Sequence, residues 1–357
     1  MTVEIVRIHE AVADRCQAYV DRHPQATFFH THLWRDAVTQ AFEHIDCSFS
    51  AWRDGQVVGV LPLMRVASRL AGSLLVSVPY AVYGGVLSDD AESSAALLDH
   101  ACRFAERTRA QWIDIRSIEP QWPDLPTISR YVTFRKQLPN DPAQVLAEMP
   151  RKARAAARQA RDKFGLEVSF DASELHTIWQ LYSQSMRRLA SPNYPAEFFY
   201  ALVERTEAAT RCTPENCPPS HLIQIVRHKG QPIAGLLSFV YRGTLLPYFA
   251  GCDERFEKFH PNNFLYLTAM EKGVELGCRE FDFGRSRIDN TGSYNFKKFQ
   301  GFEPTPLHYQ YFVPSGGRSP DLHPDNPKLA LARKVWPRLP LAVTRPLGAW
   351  LSKSIPG

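Results

Sequence analysis

Nothing in this chain stays apolar for the roughly 18 residues that a membrane-spanning helix needs, although 44% of its residues are hydrophobic. The first ten residues, MTVEIVRIHE, lack a basic stretch followed by an apolar one, so no signal peptide is expected. The seven cysteines (16, 47, 102, 212, 217, 252 and 278) are odd in number and include no C-x-x-C pair. That argues against a disulfide framework and predicts buried free thiols in a reducing cytoplasm. Only Cys212 and Cys217, followed by His221, approach metal-ligand spacing. The segment CTPENCPPS that holds both cysteines reads as a proline-rich loop, so no metal is expected. His30 and His32 in FFHTHLW have no third ligand nearby and suit capping or packing, with a cleft role as the alternative. There is no G-x-S-x-G elbow and no familiar Cys–His pairing, which disfavours a covalent intermediate on serine or cysteine.

What is present is a chain of 357 residues with 22% charged residues and a net charge of +5. The length favours two domains or one large one. The mild positive charge fits an anionic partner and an ordinary soluble enzyme equally well.

The chain is written twice. In the first half, CSFSAWRDGQVVGVLPLMRV alternates as a strand, turns at Asp54-Gly55 and continues as a second strand, followed by the third strand SLLVSVPY. In the second half, HLIQIVRHKGQPIAGLLSFVY does the same around Lys229-Gly230, followed by TLLPYFAG. Each meander is followed by a helix. One spans 92–109 with Leu97, Leu98, Ala101 and Ala105 on one face; the other spans 262–276 with Phe264, Leu267, Met270 and Val274. Each helix leads into a buried strand, WIDIRS or EFDFGRS. Pro79 and Pro247 are separated by the same 168 residues as Asp114 and Asp282. Upstream, VEIVRI and LEVSF are matching first strands, each followed by two helical stretches.

The order is therefore strand, two helices, three-strand meander, helix, strand, repeated. It predicts an α/β (α+β) fold of two units, each a mixed twisted sheet flanked by helices. The expected division is 1–140 and 150–313, joined through the proline-containing segment LPNDPAQVLAEMP, with 314–357 as a basic, proline-containing tail.

This order resembles the GNAT acyltransferase fold. Two such units with FDFG and then G-x-Y-x-F-K in the second resemble the FemAB aminoacyltransferases, and in particular the FemAB-like proteins associated with exosortase/PEP-CTERM exopolysaccharide systems. FFHTHLWRDAVTQAF, PRKARAAARQARDKFGLEV, the stretch from YFAGCDERFEKF to EFDFGRS, and NFKKFQGFEPTPLHYQYF carry the likeness, over roughly residues 1–313. Two features depart from it. No long heptad run supplies the helical hairpin found in FemAB enzymes that act with tRNA. The pyrophosphate loop Q/R-x-x-G-x-G/A of acetyl-CoA-dependent enzymes is also missing: PYAVYGGVLSDD and PYFAGCDERFEKFHPNN stand in its place. Without that row of N–H groups at a helix N-terminus, a CoA pyrophosphate lacks its usual cradle. No cofactor is assigned, and the donor is left open between aminoacyl-tRNA and acyl-CoA.

Acyl transfer to an amine needs an activated acyl group, a deprotonated amine and a donor for the tetrahedral oxyanion. Lys297, between Phe296 and Phe299, is the candidate cation on what reads as an aromatic hairpin after an Asn-Thr-Gly turn. The resemblance implies that the lysine of the F-K pair is the acyl-transfer residue; read alone, Lys297 and Lys298 also fit surface lysines. Asp282, facing away from Phe281 and Phe283, would bind the amine or pair with Arg285 or Arg287. Its counterpart Asp114, followed by Arg116, favours the structural role. Tyr294 and Tyr248 complete the expected substrate-binding set, which comprises Phe296, Tyr294, Asp282, Arg285 and Tyr248.

A separate signal is the basic helix. Arg151, Arg154, Arg158 and Arg161 share one helical face, Lys152 and Lys163 add to it, and only Asp162 opposes. It is read as an anion site for a tRNA acceptor arm, a nucleotide-linked sugar or a lipid pyrophosphate, with a solvated helix face as the alternative. From Pro327 to Gly357 the tail has six Lys or Arg and no Asp or Glu, with Trp336, Leu347, Trp350 and Leu351 among them. It suits peripheral contact with an anionic membrane surface or packing on the protein itself. The sequence thus predicts a cytoplasmic N-acyltransferase acting without a covalent intermediate on an envelope or exopolysaccharide precursor, the acceptor being a small molecule or a lipid- or nucleotide-linked glycan. Its competitors are an acyl-CoA-dependent N-acetyltransferase and a non-catalytic binder of an anionic polymer or membrane-bound assembly.

Overall fold

The structure, a computed structural model, describes residues 2–69, 71–122, 124–211, 220–317 and 333–357. It divides into two compact units. The first comprises Met1–Ser129, Pro306–Pro324 and Trp350–Gly357; the second comprises Arg130–Thr305 and Asp325–Ala349.

In the first unit, strands Glu4–Arg7, Phe49–Arg53, Gln56–Leu61 and Leu87–Ser88 form one sheet. A second sheet orders Ile45–Asp46, Met64–Ser68, Gly72–Val76, Ile113–Ser117, His308–Phe312 and Thr127–Ile128. Alternation along Phe49–Arg53 explains the layers: Phe49 and Ala51 pack with Leu97, Ala101 and Ala105 of helix Ala91–Arg107, whereas Trp52 packs with Cys16, Tyr19 and Val20 of helix Glu10–Arg22. The sequence expectation of one continuous second meander strand is corrected here. It stops at Leu61 and restarts at Met64 in the other sheet. Pro62 lies in the break, where it has no N–H to give a ladder.

In the second unit one sheet holds, in order, Leu166–Phe170, His221–His228, Gln231–Tyr241, Thr244–Cys252, Glu280–Asp282, Tyr131–Gln137 and Ser286–Arg287, with Glu303–Pro306 also paired to Tyr131–Gln137. One face carries helices Pro142–Glu148, Arg151–Arg158 and Pro261–Glu275, through Val145, Ala153, Ala157, Phe264, Leu267 and Met270. The other carries Leu175–Arg188 and Ala196–Arg211, whose Tyr182, Phe198 and Phe199 surround Phe249. Gly251 is required there: a Cβ would stand 2.2 Å from the backbone of Leu181 and Tyr182.

The units depart from the 1–140 and 150–313 division in three places. Strand Tyr131–Gln137 lies in the second unit's sheet, antiparallel to Glu280–Asp282. Strand His308–Phe312 lies in the first unit's sheet, antiparallel to Ile113–Ser117. The tail divides between the two units. Each strand's partner is more than a hundred residues away, so local pattern does not reveal the pairing.

Candidate functional site

Strands Thr244–Cys252 and Glu280–Asp282 run parallel but pair only at Thr244↔Glu280 and Leu245↔Phe281. The first strand then continues to Cys252 while the second ends. The two strands thus part after Leu245, and beyond it the longer strand has no ladder partner on that side among the described residues. The register against Gln231–Tyr241 passes from Leu237↔Phe249 to Ser238↔Pro247, so Tyr248 is the extra residue of a β-bulge. Bulges re-aim a side chain and leave the ladder locally open. Tyr248 is half-buried and meets Phe249 edge-on.

Beyond Asp282 the chain turns at Gly284, with φ 69, and enters helix Thr291–Phe299. A helix stands where the sequence suggested a turn and hairpin. Asn290 caps it, its side chain accepting from the Ser293 N–H, and Gly301 with φ 87 ends it. Asn at the cap and a left-handed Gly after the last turn are ordinary helix signals. The helix turns Lys297 inward, where it is 8% exposed, and leaves Phe299 at 39%. Lys297 Nζ donates to the carbonyls of Gly284 at 2.8 Å and Arg285 at 3.0 Å. It also sits 5.4 Å from the Phe134 ring and 5.3 Å from the Phe283 ring. The expected flanking by Phe296 and Phe299 is thus replaced by Phe134 and Phe283. Burial drives its ammonium down to about 7, against the opposing pull of Asp282.

Asp282 is 2% exposed. Its Oδ1 accepts from the Gly284 N–H at 2.9 Å and the Thr133 hydroxyl at 3.2 Å, while Oδ2 has no hydrogen bond. Arg135 Nε stands 3.7 Å away but hydrogen-bonds Glu280. Burial pushes the Asp282 carboxyl up to about 7, with the Gly284 N–H and Lys297 pulling it down. Of the two expected partners of Asp282, Arg285 and Arg287, the second is engaged elsewhere. Arg287 pairs with Asp289, and the Arg285 guanidinium lies 4.7 Å over the Tyr131 ring. Phe296 packs on Tyr266 and Phe283, and Tyr294 meets Phe134 edge-on. Lys297, Asp282, Phe296, Tyr294 and Arg285 therefore gather around the end of one strand, with Tyr248 on the neighbouring strand.

Sequence reasoning missed Tyr131, Thr133, Phe134 and Arg135. YVTFRKQ carries a strand's alternation, but nothing local says that it joins this sheet.

The first unit repeats the arrangement with a different outcome. Arg116 Nε and Nη2 hold Asp114 Oδ2 at 3.0 and 2.9 Å. The same guanidinium donates to the carbonyls of Val78, Ala81, Pro356 and Gly357. The Tyr80 N–H donates to Pro356 O at 2.7 Å, and its hydroxyl to Ser352 O at 3.0 Å. The acid is locked and the chain's own residues 352–357 occupy the space beside it.

Arg151–Arg158 forms the basic helix, with Arg151, Lys152 and Arg158 exposed. Arg154 is half-buried, donating to Ala147 O at 2.7 Å. A π-turn, Gln159–Lys163, follows, where Arg161 pairs with Asp162. The helix abuts the lysine helix: a Cβ on Gly301 would come within 2.9 Å of Pro150. At the turn after Thr244–Cys252, Asp253, Glu254 and Glu257 stand where a pyrophosphate would need donors, and the Arg255 N–H is taken by Asp253 at 3.0 Å. Pro261 opens the next helix without an N–H.

Elsewhere, His30 caps a turn by accepting from the Thr27 N–H at 3.0 Å. Cys16, Cys47, Cys102, Cys252 and Cys278 are free thiols, whereas Cys212 and Cys217 lie outside the described residues. Among the described residues no helix is long and apolar enough to cross a membrane. Helix Leu341–Ser352 exposes Val343, Leu347 and Trp350 at i, i+4 and i+7.

A parallel pair splayed beside a bulged strand, with helices on both faces, defines the acyltransferase fold of the GNAT class. Residues 147–298 match the family described as Acetyltransferase (GNAT) domain, which supports acyl transfer as the chemistry. The two-unit fold is shared with the solved structures of FemX and of a tandem GNAT protein. The solved structure of FemX is similar over 86% of this chain and 96% of its own, with 16% identity and a TM-score of 0.64. A tandem GNAT protein from the clavulanic acid biosynthesis pathway, solved without AcCoA, is 12% identical over 89% and 100%, with a TM-score of 0.52. L-PGS from Bacillus licheniformis is 12% identical over 93% and 97%, with a TM-score of 0.51. No curated protein matches the chain by sequence.

Proposed function

We propose that this protein transfers an acyl or aminoacyl group directly to an amine on a cell-envelope or exopolysaccharide precursor, in the cleft of the second unit. The amine lone pair attacks the acyl carbon, the C–N bond forms, and the bond to the donor's ribose oxygen or thiol sulfur breaks. The buried Lys297–Asp282 pair takes the proton that the amine releases and returns it to the leaving oxygen or sulfur. Phe296, Tyr294, Arg285 and Tyr248 shape the substrate's place.

The observation that carries this reading is the contrast between the two buried acids. Asp114 is held by the Arg116 guanidinium at 2.9 Å. Asp282 shares its surroundings with an amine whose own proton is loosely held at neutral pH. A pair poised near 7 suits proton handling.

The donor is aminoacyl-tRNA in this reading, its phosphates held by Arg151, Arg154 and Arg158. At the Asp253–Phe259 turn three acids outnumber Arg255 and Lys258, and Asp253 already holds both the N–H and the guanidinium of Arg255, which disfavours a pyrophosphate there. An acyl-CoA donor is the second reading, favoured by the GNAT domain match. The test incubates the purified protein with labelled aminoacyl-tRNA or acyl-CoA and with extracted glycan and lipid-linked intermediates, followed by mass spectrometry. A mass increase from aminoacyl-tRNA that is lost in Lys297→Met supports the first reading. Thermal protection by CoA with no transfer from aminoacyl-tRNA supports the second. A Lys297→Ala strain of normal phenotype, beside one inactivated by neutralising Arg151, Arg154 and Arg158, would leave only a binding protein.

A further inference from the structure

The first unit contains a cavity of about 580 Å³ that the acyl-transfer reading does not use. Its walls are Phe42–Ile45, part of strand Met64–Ser68 with Arg69, the start of strand Gly72–Val76, and Trp350, Lys353 and Ser354. Arg65, Arg69 and Lys353 line it against one acid, Glu43, which pairs with Lys353 at 2.7 Å. His44 adds no charge near neutrality. Burial holds its ring down at about 4, and it hydrogen-bonds the Tyr80 hydroxyl at 2.8 Å. Arg65 Nε donates to the Ser73 hydroxyl at 2.9 Å, and the Arg69 guanidinium lies 5.0 Å over the Trp350 ring. These cations are oriented by their neighbours, and the lining carries a surplus of positive charge.

The same lining includes two large apolar side chains turned to solvent, Ile45 at 51% and Trp350 at 48%, and Ile355 close by in sequence is 41% exposed. A soluble sugar phosphate or nucleotide would need the cations but would leave this apolar group wet. A lipid head group uses both, because its phosphate is fixed by Arg and Lys while Trp and Ile enter the boundary of head groups and acyl chains.

We infer that this cavity is a docking site for anionic phospholipid, with Arg65, Arg69 and Lys353 holding the phosphate and Ile45 and Trp350 inserted at the acyl boundary. It lies outside the proposed acyl-transfer cleft and does not depend on that assignment.

The test is co-sedimentation of the full chain with vesicles of phosphatidylcholine alone or with one quarter phosphatidylglycerol. Binding is expected only to the anionic vesicles and is expected to fall with added salt. Replacing two cations, as in Arg69→Gln with Lys353→Gln, should lower partitioning about 30-fold. Glu43→Gln, an exposed change that removes the lone acid, should raise it several-fold and keeps the test open if the double variant folds poorly. Arg103→Gln with Arg107→Gln, on the exposed face of another helix, should change it little. Binding that ignores phosphatidylglycerol, or that responds to the two helix arginines as much as to the cavity, would overturn the inference. So would thermal protection by inorganic phosphate that is lost in Arg69→Gln/Lys353→Gln, if vesicles do not bind; the cavity would then serve a free phosphate.

Discussion

Lys297 Nζ lies 2.8 Å from the carbonyl oxygen of Gly284, and Gly284 in turn gives its N–H to Asp282 at 2.9 Å. One residue thus links the buried amine to the buried acid through its own peptide groups. Whatever shifts the turn at Gly284 shifts both titrating groups together. Lys297→Met keeps the volume but removes the proton carrier. We expect transfer to fall at least 100-fold, the range associated with a lost acid or base, with the melting temperature within a few degrees of the parent. Single-turnover rates and thermal unfolding on the same samples check both halves.

The pH dependence has a definite sign. The pair must be able to accept a proton, so kcat/KM should rise with pH and level off above about 7, where burial puts the Lys297 ammonium. The charge on Asp282 raises the Lys297 value. Asp282→Asn should therefore move the rising limb to lower pH. A limb that stays in place would separate the two residues.

Stability should show the opposite curvature. Asp282 is raised from its usual range to about 7, so between pH 4 and 7 the folded state holds a proton that the unfolded chain has lost. This contribution declines as pH rises through that window. Lys297 is lowered to about 7, so between pH 7 and 10 the unfolded chain holds the extra proton and stability recovers. Each group changes the free energy by at most about 1.4 kcal/mol per pH unit. The pair alone gives a minimum near neutrality, and Asp282→Asn should remove the acid side of that minimum. Urea unfolding from pH 4 to 10 on parent and variant measures it.

The basic helix should act on donor binding. Arg151→Gln with Arg158→Gln is expected to raise KM for a phosphate-bearing donor, reduce its salt dependence by about two ion equivalents and leave kcat nearly unchanged. A fall in kcat with unchanged KM would instead make the helix a support for the neighbouring turn at Gly301.

The repeat was readable because its signals are local: alternation around Asp54-Gly55 and Lys229-Gly230, helical spacing of Phe264, Leu267, Met270 and Val274, and the recurring Asp114 and Asp282. All four of those helix residues are buried. What escaped depends on distant partners. Tyr131–Gln137 is indistinguishable by pattern from a strand of the first sheet, so Thr133 and Phe134 did not enter the site. The lysine helix escaped for another reason: Asn-Thr-Gly is both a turn signal and a helix start, and the aromatics around Lys297 suggested strands. Only the burial of Lys297, which a helix can achieve and a surface hairpin would not, separates the two.

The two acids finally predict opposite responses to losing their cations. Arg116 gives Asp114 two hydrogen bonds and is 2% exposed, so Arg116→Met leaves a buried carboxylate with its charge uncompensated. Breaking a buried pair from one side typically costs about 3–5 kcal/mol. It also takes the Arg116 donor from the carbonyl of Gly357 and leaves Pro356 O with the Tyr80 N–H alone. Asp282 differs because its carboxyl, already pushed up to about 7, can take a proton when Lys297 is removed. Lys297→Met should therefore leave stability near the parent value while Arg116→Met should not, and activity should show the reverse. Thermal unfolding of both variants, followed by transfer assays at a temperature where both are folded, tests this. Equal destabilisation by the two variants would mean that the acid in the second unit depends on its cation as much as the one in the first.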